Sequence, residues 1–195
     1  IYPAYALAAK LLTRGHKVSL ITDKRGKAWP GLPEHIDVHV IEAGDTRKKG
    51  VFGAIQTLLG VYRGMKQART LYRTPKVHVV VGFGGYPALP AVLAARVAQI
   101  PYCLHEQNAV LGRVNRFMAG KAAAIAVSWT KTAQLKRSYV KKTVLTGNPV
   151  RPNILELRQE PYPLVSRDSL LRVLVLGGSQ GARILSQIVP EAVRL

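Results

Sequence analysis

One cysteine, Cys103, stands in 195 residues. It cannot close an internal disulfide, so no cross-linked framework holds this chain, and the usage fits a reducing compartment. Acidic side chains are also scarce: 10 Asp and Glu face 29 Lys and Arg, for a net charge of +19. Between Asp45 and Glu156 the single acid is Glu106. Aromatic residues make up 7%, too few for the interleaved basic and aromatic pattern of many nucleic-acid binders, and no RNA-reading signature occurs. No run of 18 apolar residues exists, which excludes a transmembrane helix. The most apolar stretch, Val77 to Leu104, is broken by Gly84, Gly85, Pro87, Pro90, Arg96 and Gln99. Zinc-ligand spacing, a phosphate loop ending in Gly-Lys-Ser/Thr, a Gly-x-Gly-x-x-Gly fingerprint and a Ser–His–Asp order are all missing. His16, His35, His39 and His78 stand apart from any such pattern. The sequence begins at Ile1, already in an amphipathic pattern that is not that of a signal peptide, and is expected to be a piece of a longer protein.

What is present is a core-forming composition. Hydrophobic residues are 48% of the chain, enough to bury an interior. Residues 3–14 carry Ala4, Leu7, Ala8, Leu11 and Leu12 at helical spacing, opened by Pro3 and stopped by Gly15. Short strands are expected at Lys17–Thr22, Asp37–Ile41, Val77–Val81, Pro101–Leu104, Ala123–Val127 and Lys142–Thr146. Helices are expected at Pro87–Ala98 and Leu111–Ala119. Residues 147–168 hold several prolines and little periodicity, as a linker does. A further strand is expected at Arg172–Leu176, then a Gly turn and a helix from about Gly181. This alternation predicts an α/β fold with an open, mostly parallel, Rossmann-like sheet. The expected domains are 1–147, a linker at 148–170, and at 171–195 the start of a second Rossmann-like domain.

The stretch from Val51 to Arg73 is helical in pattern and unusual in composition. Val51, Phe52, Ile55, Leu58, Leu59 and Tyr62 make one apolar stripe. At about 100° per residue, Lys66 falls about 40° from Tyr62, and Arg69 and Arg73 about 20°. The stripe therefore turns from apolar to basic midway. One reading is an ordinary core helix with a break. The other is an apolar patch with a basic rim, suited to an anionic bilayer.

Four motifs carry candidate chemistry. Val173 to Arg183 runs from an apolar strand through Gly177-Gly178-Ser179-Gln180-Gly181 into a helix. Glycines let the backbone approach a ligand, and a helix N-terminus offers free N–H groups, so this is a candidate diphosphate cradle; a tight strand–helix turn is the plain alternative. Gly82 to Pro87 repeats that logic after another strand, with Gly84, Gly85 and Tyr86 at its tip. His105-Glu106-Gln107-Asn108 follows a buried strand at its carboxyl end, the edge where such sheets bind ligands; an Asx turn or helix cap is the alternative. Gly147-Asn148-Pro149-Val150-Arg151 opens the linker, where Arg151 is either a diphosphate clamp or a surface arginine.

These motifs, in this order and with Tyr2-Pro3-Ala4 and Ala6-Leu7-Ala8 ahead of them, resemble the MurG family. Its members are UDP-N-acetylglucosamine–N-acetylmuramyl-(pentapeptide) pyrophosphoryl-undecaprenol N-acetylglucosamine transferases. The resemblance runs along essentially the whole chain. It implies a two-domain GT-B glycosyltransferase with an amino-terminal acceptor domain and a carboxyl-terminal donor domain. It implies inverting transfer of GlcNAc from UDP-GlcNAc to the muramoyl 4-hydroxyl of lipid I, giving lipid II, without a metal or cofactor. Asn108, Arg151, Gly178, Ser179, Gln180 and Gly181 would hold the sugar nucleotide. Gly84, Gly85, Tyr86, His105 and Glu106 would shape the acceptor side. Val51, Phe52, Ile55, Leu58, Leu59 and Tyr62 would meet an anionic membrane, peripherally and at its cytoplasmic face, and nucleic acid is not an expected partner. The family's first strand and Gly loop, ending in a proposed base His, would precede Ile1, and the uridine pocket would follow Leu195. The catalytic base is therefore not expected among these residues, and the 195 residues alone are not expected to turn over. Other lipid-acceptor GT-B enzymes, such as a diacylglycerol galactosyltransferase, are the near alternative, against which His105 to Asn108 argues. A basic nucleic-acid-binding or membrane-docking module is the distant one.

Overall fold

The computed structural model describes residues 1–28, 36–44, 50–74, 76–162, 166, 170, 172–177 and 182–194. The chain divides into two compact units, Ile1–Arg158 and Gln159–Leu195. The division falls inside the 148–170 span read as a linker.

In the first unit, α1 (Tyr2–Thr13) leads to β1 (Ser19–Thr22), a short α2 (Lys24–Lys27) and β2 (Asp37–Val40). Then come α3 (Gly50–Leu71), β3 (Val80–Gly82), α4 (Ala88–Val97), β4 (Tyr102–Glu106) and α5 (Arg113–Met118). The unit ends with β5 (Ala124–Val127), β6 (Thr143–Leu145) and α6 (Pro152–Glu156). Every described strand pairing is parallel. β1 and β2 form one sheet, and β3-β4-β5-β6 form a second in that spatial order. The α/β alternation and the parallel sheet are as the sequence predicts.

The inner strand β4 is buried along nearly its whole length, which is why it reads as a run without polar alternation. Leu104, Ile125, Val92, Ala94, Ala95 and Met118 lie fully inside, in a core shared by β4, β5, α4 and α5. Three buried phenols pin elements to this core. Tyr72 Oη donates to Ala91 O at 2.8 Å, Tyr102 Oη to Met118 O at 2.8 Å, and Tyr5 Oη to Gly26 O at 3.2 Å. Lys142 Nζ donates to the carbonyls of Ala119, Gly120 and Ala122, closing the turn after α5.

Burial pushes all three phenols above their ordinary range, Tyr72 most strongly. Below about pH 10 each phenol is neutral in both folded and unfolded chains. Above it the unfolded chain ionises first and binds fewer protons, so stability must fall. Urea melts should therefore show the midpoint dropping as pH is raised from about 9 to 11. In Tyr72→Phe that drop should be smaller; an equal drop would show that Tyr72 does not carry it.

Four expectations need correction. β4 extends through His105 and Glu106, so these residues sit on the strand's last two positions rather than after it. β3 starts at Val80, not Val77, because Val79 is half-exposed ahead of the paired register. The Pro-rich linker starts with a short helix, α6, whose first position takes Pro152. Residues 172–176 form no strand in the second unit, and Leu174 is 80% exposed. An apolar run becomes a strand only where a neighbour exchanges ladder bonds with it, and no described residue of 159–195 does. The helix expected from about Gly181 is α7 (Arg183–Ala192).

Candidate functional site

The carboxyl ends of β3, β4, β5 and β6 bring three of the sequence motifs together. At the end of β4 the Glu106 side chain is 2% exposed and accepts four hydrogen bonds. Its Oε1 takes Asn108 N at 3.1 Å and Asn108 Nδ2 at 3.0 Å. Its Oε2 takes Gly112 N and Asn115 Nδ2, each at 2.8 Å. An ionised carboxylate accepts through both oxygens and donates nothing, so four N–H groups satisfy it without a cation. The Glu106 main-chain oxygen in turn accepts from Ser128 N at 3.1 Å and Ser128 Oγ at 2.9 Å, after β5.

His105 is equally buried. Gln107 Nε2 approaches its Nδ1 at 2.9 Å, and its Nε2 lies 3.1 Å from Gly147 O. An amide NH₂ only donates and a carbonyl only accepts. The neutral ring therefore carries its proton on Nε2 and gives it to Gly147. This bond ties the Gly147–Arg151 motif, which follows β6, to the end of β4. The Phe83 ring lies 5.4 Å from the imidazole, which brings in the loop after β3. That loop turns through Gly84 and Gly85, at φ +73° and +72°. A Cβ on Gly84 would lie 3.0 Å from Asn115 Nδ2, so the backbone rests on the Asn115 amide. Asn115 Oδ1 is buried without a hydrogen-bond partner among the described residues.

Tyr86 and Asn108 are exposed at this edge. Arg151 is exposed too, and its guanidinium stacks over the Tyr2 ring at 4.5 Å to the centroid. Gly178, Ser179, Gln180 and Gly181 lie outside the described residues. Four participants were not singled out in the sequence: Gly112, Asn115, Ser128 and Trp129. The Trp129 indole is 56% exposed and donates Nε1–H to Gln107 O at 3.2 Å. Sheet register places Ser128 and Trp129 beside β4, and the chain returning through α5 places Gly112 and Asn115 there, so local spacing carries no signal for them.

A separate surface lies on α3. Its buried residues are Gly53, Gly60, Gly64 and Ala68. A Cβ on Gly60 would be 2.8 Å from Gly44 Cα, so the helix docks through its small face. Val51, Phe52, Ile55, Leu58, Leu59 and Tyr62 all point outward, with Phe52 84% exposed. Lys66 and Arg69 are exposed on the same side, Lys66 Nζ standing 4.8 Å from the Tyr62 ring centroid. The stripe therefore lies outside the core of the described residues.

Residues 1–127 match the glycosyltransferase family 28 N-terminal domain. The chain belongs to glycosyltransferase family 28. Its similarity to curated family members extends further than that domain. It is 51% identical over 193 residues, 99% of the chain, to the UDP-N-acetylglucosamine--N-acetylmuramyl-(pentapeptide) pyrophosphoryl-undecaprenol N-acetylglucosamine transferase of Zymomonas mobilis. It is 50% identical over its whole length to the protein of the same name from Erythrobacter litoralis. These alignments cover 50% and 49% of the two relatives, so the chain spans about half their length. Among solved structures it resembles the crystal structure of MurG from Acinetobacter baumannii, at TM-score 0.70 and 27% identity, over 98% of this chain and 50% of that one. The GT-B assignment of this family 28 chain rests on these likenesses together with its parallel sheet.

Proposed function

We propose that this chain belongs to an inverting glycosyltransferase that moves GlcNAc from UDP-GlcNAc to the muramoyl 4-hydroxyl of lipid I, making lipid II and UDP for peptidoglycan. The observation that carries this reading is half-identity along the whole chain to relatives bearing that transferase name. In the reaction the acceptor oxygen attacks the anomeric carbon as the bond to the diphosphate breaks. The hydroxyl proton passes to a general base.

The exposed Asn108 would meet the donor sugar. Arg151 would neutralise the diphosphate as UDP leaves. Gly84, Gly85 and Tyr86, backed by the buried His105 and Glu106, would shape the acceptor side. The outer face of α3 would rest on the anionic cytoplasmic face of the bacterial membrane, its apolar half in the interface and Lys66 and Arg69 at the lipid phosphates. Among the described residues no helix is long and apolar enough to cross a membrane.

The test is transfer of radiolabelled GlcNAc from UDP-GlcNAc to a lipid I analogue by the purified full-length protein. Expected are a lipid II product and loss of at least tenfold in kcat/KM in Arg151→Ala, the removal of one charge-assisted phosphate contact. Transfer to diacylglycerol instead, or no transfer to lipid I, overturns the reading.

A further inference from the structure

Glu106 is the one acid in a long basic stretch, yet no ligand can reach its carboxylate directly. The group is buried, and its two oxygens already accept four N–H donors. What does face outward is Asn108, held by two of those bonds. Because a carboxylate only accepts, the Asn108 NH₂ must turn toward Glu106. Its Oδ1 then has no hydrogen-bond partner among the described residues, at the exposed end of β4. We propose that Glu106 is a positioning residue: it fixes the Asn108 amide so that an acceptor oxygen, Oδ1, meets a hydroxyl donor of the bound sugar. This rests on the reading of the site as a sugar-nucleotide site.

The arrangement gives a use to the one acid in a stretch where every other charge is basic. A glutamine at 106 would offer one donor face to a ring of donors. One pair of donors, Asn108 or Gly112 with Asn115, would face that NH₂ in place of an oxygen, and the loop that carries Oδ1 would lose its anchor at one end. The same carboxylate also fixes the Gly112 N–H and Asn115, so the loop of residues 107–112 is pinned at both ends to one side chain. Glu106 thus acts on the sugar through Asn108 and takes no proton from the acceptor.

Two variants test this in the full-length enzyme. Glu106→Gln should raise KM for UDP-GlcNAc about as much as Asn108→Ala does. The double variant should be no more than about twofold worse than the weaker single, since both remove one contact.

The second variant, Asn108→Asp, leaves Glu106 and its other bonds in place. It sets a second carboxylate where the amide nitrogen lay 3.0 Å from Oε1. Two carboxylates that close cannot both stay ionised, so they hold one shared proton to a higher pH than either would alone. With that proton, the introduced carboxyl donates to Glu106 and presents an acceptor outward, as Asn108 does.

The remaining groups bonded to the carboxylate do not titrate: the Gly112 N–H ahead of α5 and the Asn115 amide on α5. His105 precedes it on β4 and Arg113 follows Gly112; neither has a described bond to it. The kcat/KM of Asn108→Asp relative to wild type should therefore rise at least fivefold as pH falls from about 8.5 to 6, mostly through KM. A purely structural Glu106 would leave that ratio flat, and a flat ratio overturns the proposal. So does a Glu106→Gln enzyme that keeps wild-type KM but loses kcat and one limb of its pH profile, the mark of a proton-transferring group. If wild type transfers no GlcNAc, the sugar-nucleotide reading fails first, and Asn108 is tested by UDP-GlcNAc binding in the same variants.

Discussion

Alanine at Gly64 is expected to destabilise the first unit by about 3 kcal/mol, although alanine is the better helix former. In an open helix the exchange from glycine stabilises by roughly 1 kcal/mol. At Gly64 the added Cβ would overlap the Glu42 carbonyl oxygen, sit 2.9 Å from the Glu42 carbonyl carbon and lie 3.0 Å from Pro90 Cβ. Two of those three atoms are backbone, so no rotamer change relieves the contact. The helix must back away from the segment after β2. That would strain the Gln67 contact to Glu42 N at 2.8 Å and separate Gly60 from Gly44. Overpacking of this kind costs about 1–3 kcal/mol and occasionally more. For a chain of this size, roughly 3 kcal/mol lowers Tm by about 6–12 °C. Thermal melts of Gly64→Ala check this. A Tm equal to or above wild type would mean that α3 is not seated through its glycine face.

That face was legible in the sequence, though it was not singled out there. Gly53, Gly60, Gly64 and Ala68 recur at seven, four and four residues, the spacing of one helix side. Larger side chains drew attention instead, and a hydrophobic stripe alone cannot say whether it faces a core or a membrane. The strands were easier, because β4 and β5 are apolar runs bounded by turns and their burial follows from composition. α2 was missed because four residues carry no period; Asp23 caps it through Gly26 N at 2.9 Å. At the site, His105 to Asn108 stood out as polar residues beside an apolar strand. Their wiring did not. Asn115, Ser128 and Gly147 reach β4 only through sheet register and the return of α5, and pair distances of that kind are not written in local spacing. The run 172–176 failed for the converse reason: its apolar pattern asks for a strand, but a strand is a property of two chains of backbone, not one.

Binding to anionic vesicles should fall about 100-fold in the double variant Phe52→Ser with Leu58→Ser, while the fold is left intact. The two side chains are 84% and 68% exposed, so their removal takes little from the core. Full burial of such a side chain in an apolar phase is worth about 1.5–3 kcal/mol. An interfacial helix sinks only partway, so the pair should contribute about 3 kcal/mol, or roughly a hundredfold. Lys66→Ala with Arg69→Ala acts on a different term. Each cation near an anionic surface contributes about 1 kcal/mol at low salt and less as salt screens it. Vesicle sedimentation with phosphatidylglycerol-containing and neutral lipids separates the two. The serine variant should lose binding to both lipids in similar proportion and at any salt. The alanine variant should lose only the anionic preference, and only at low salt. Duplex DNA serves as the competing polyanion, because a charge of +19 draws any phosphate polymer. Attraction to DNA should fade by physiological salt, since no apolar term supports it, whereas vesicle binding should persist through the α3 stripe. If the serine variant binds vesicles like wild type, or DNA outlasts vesicles at that salt, the outward face of α3 is not a membrane surface.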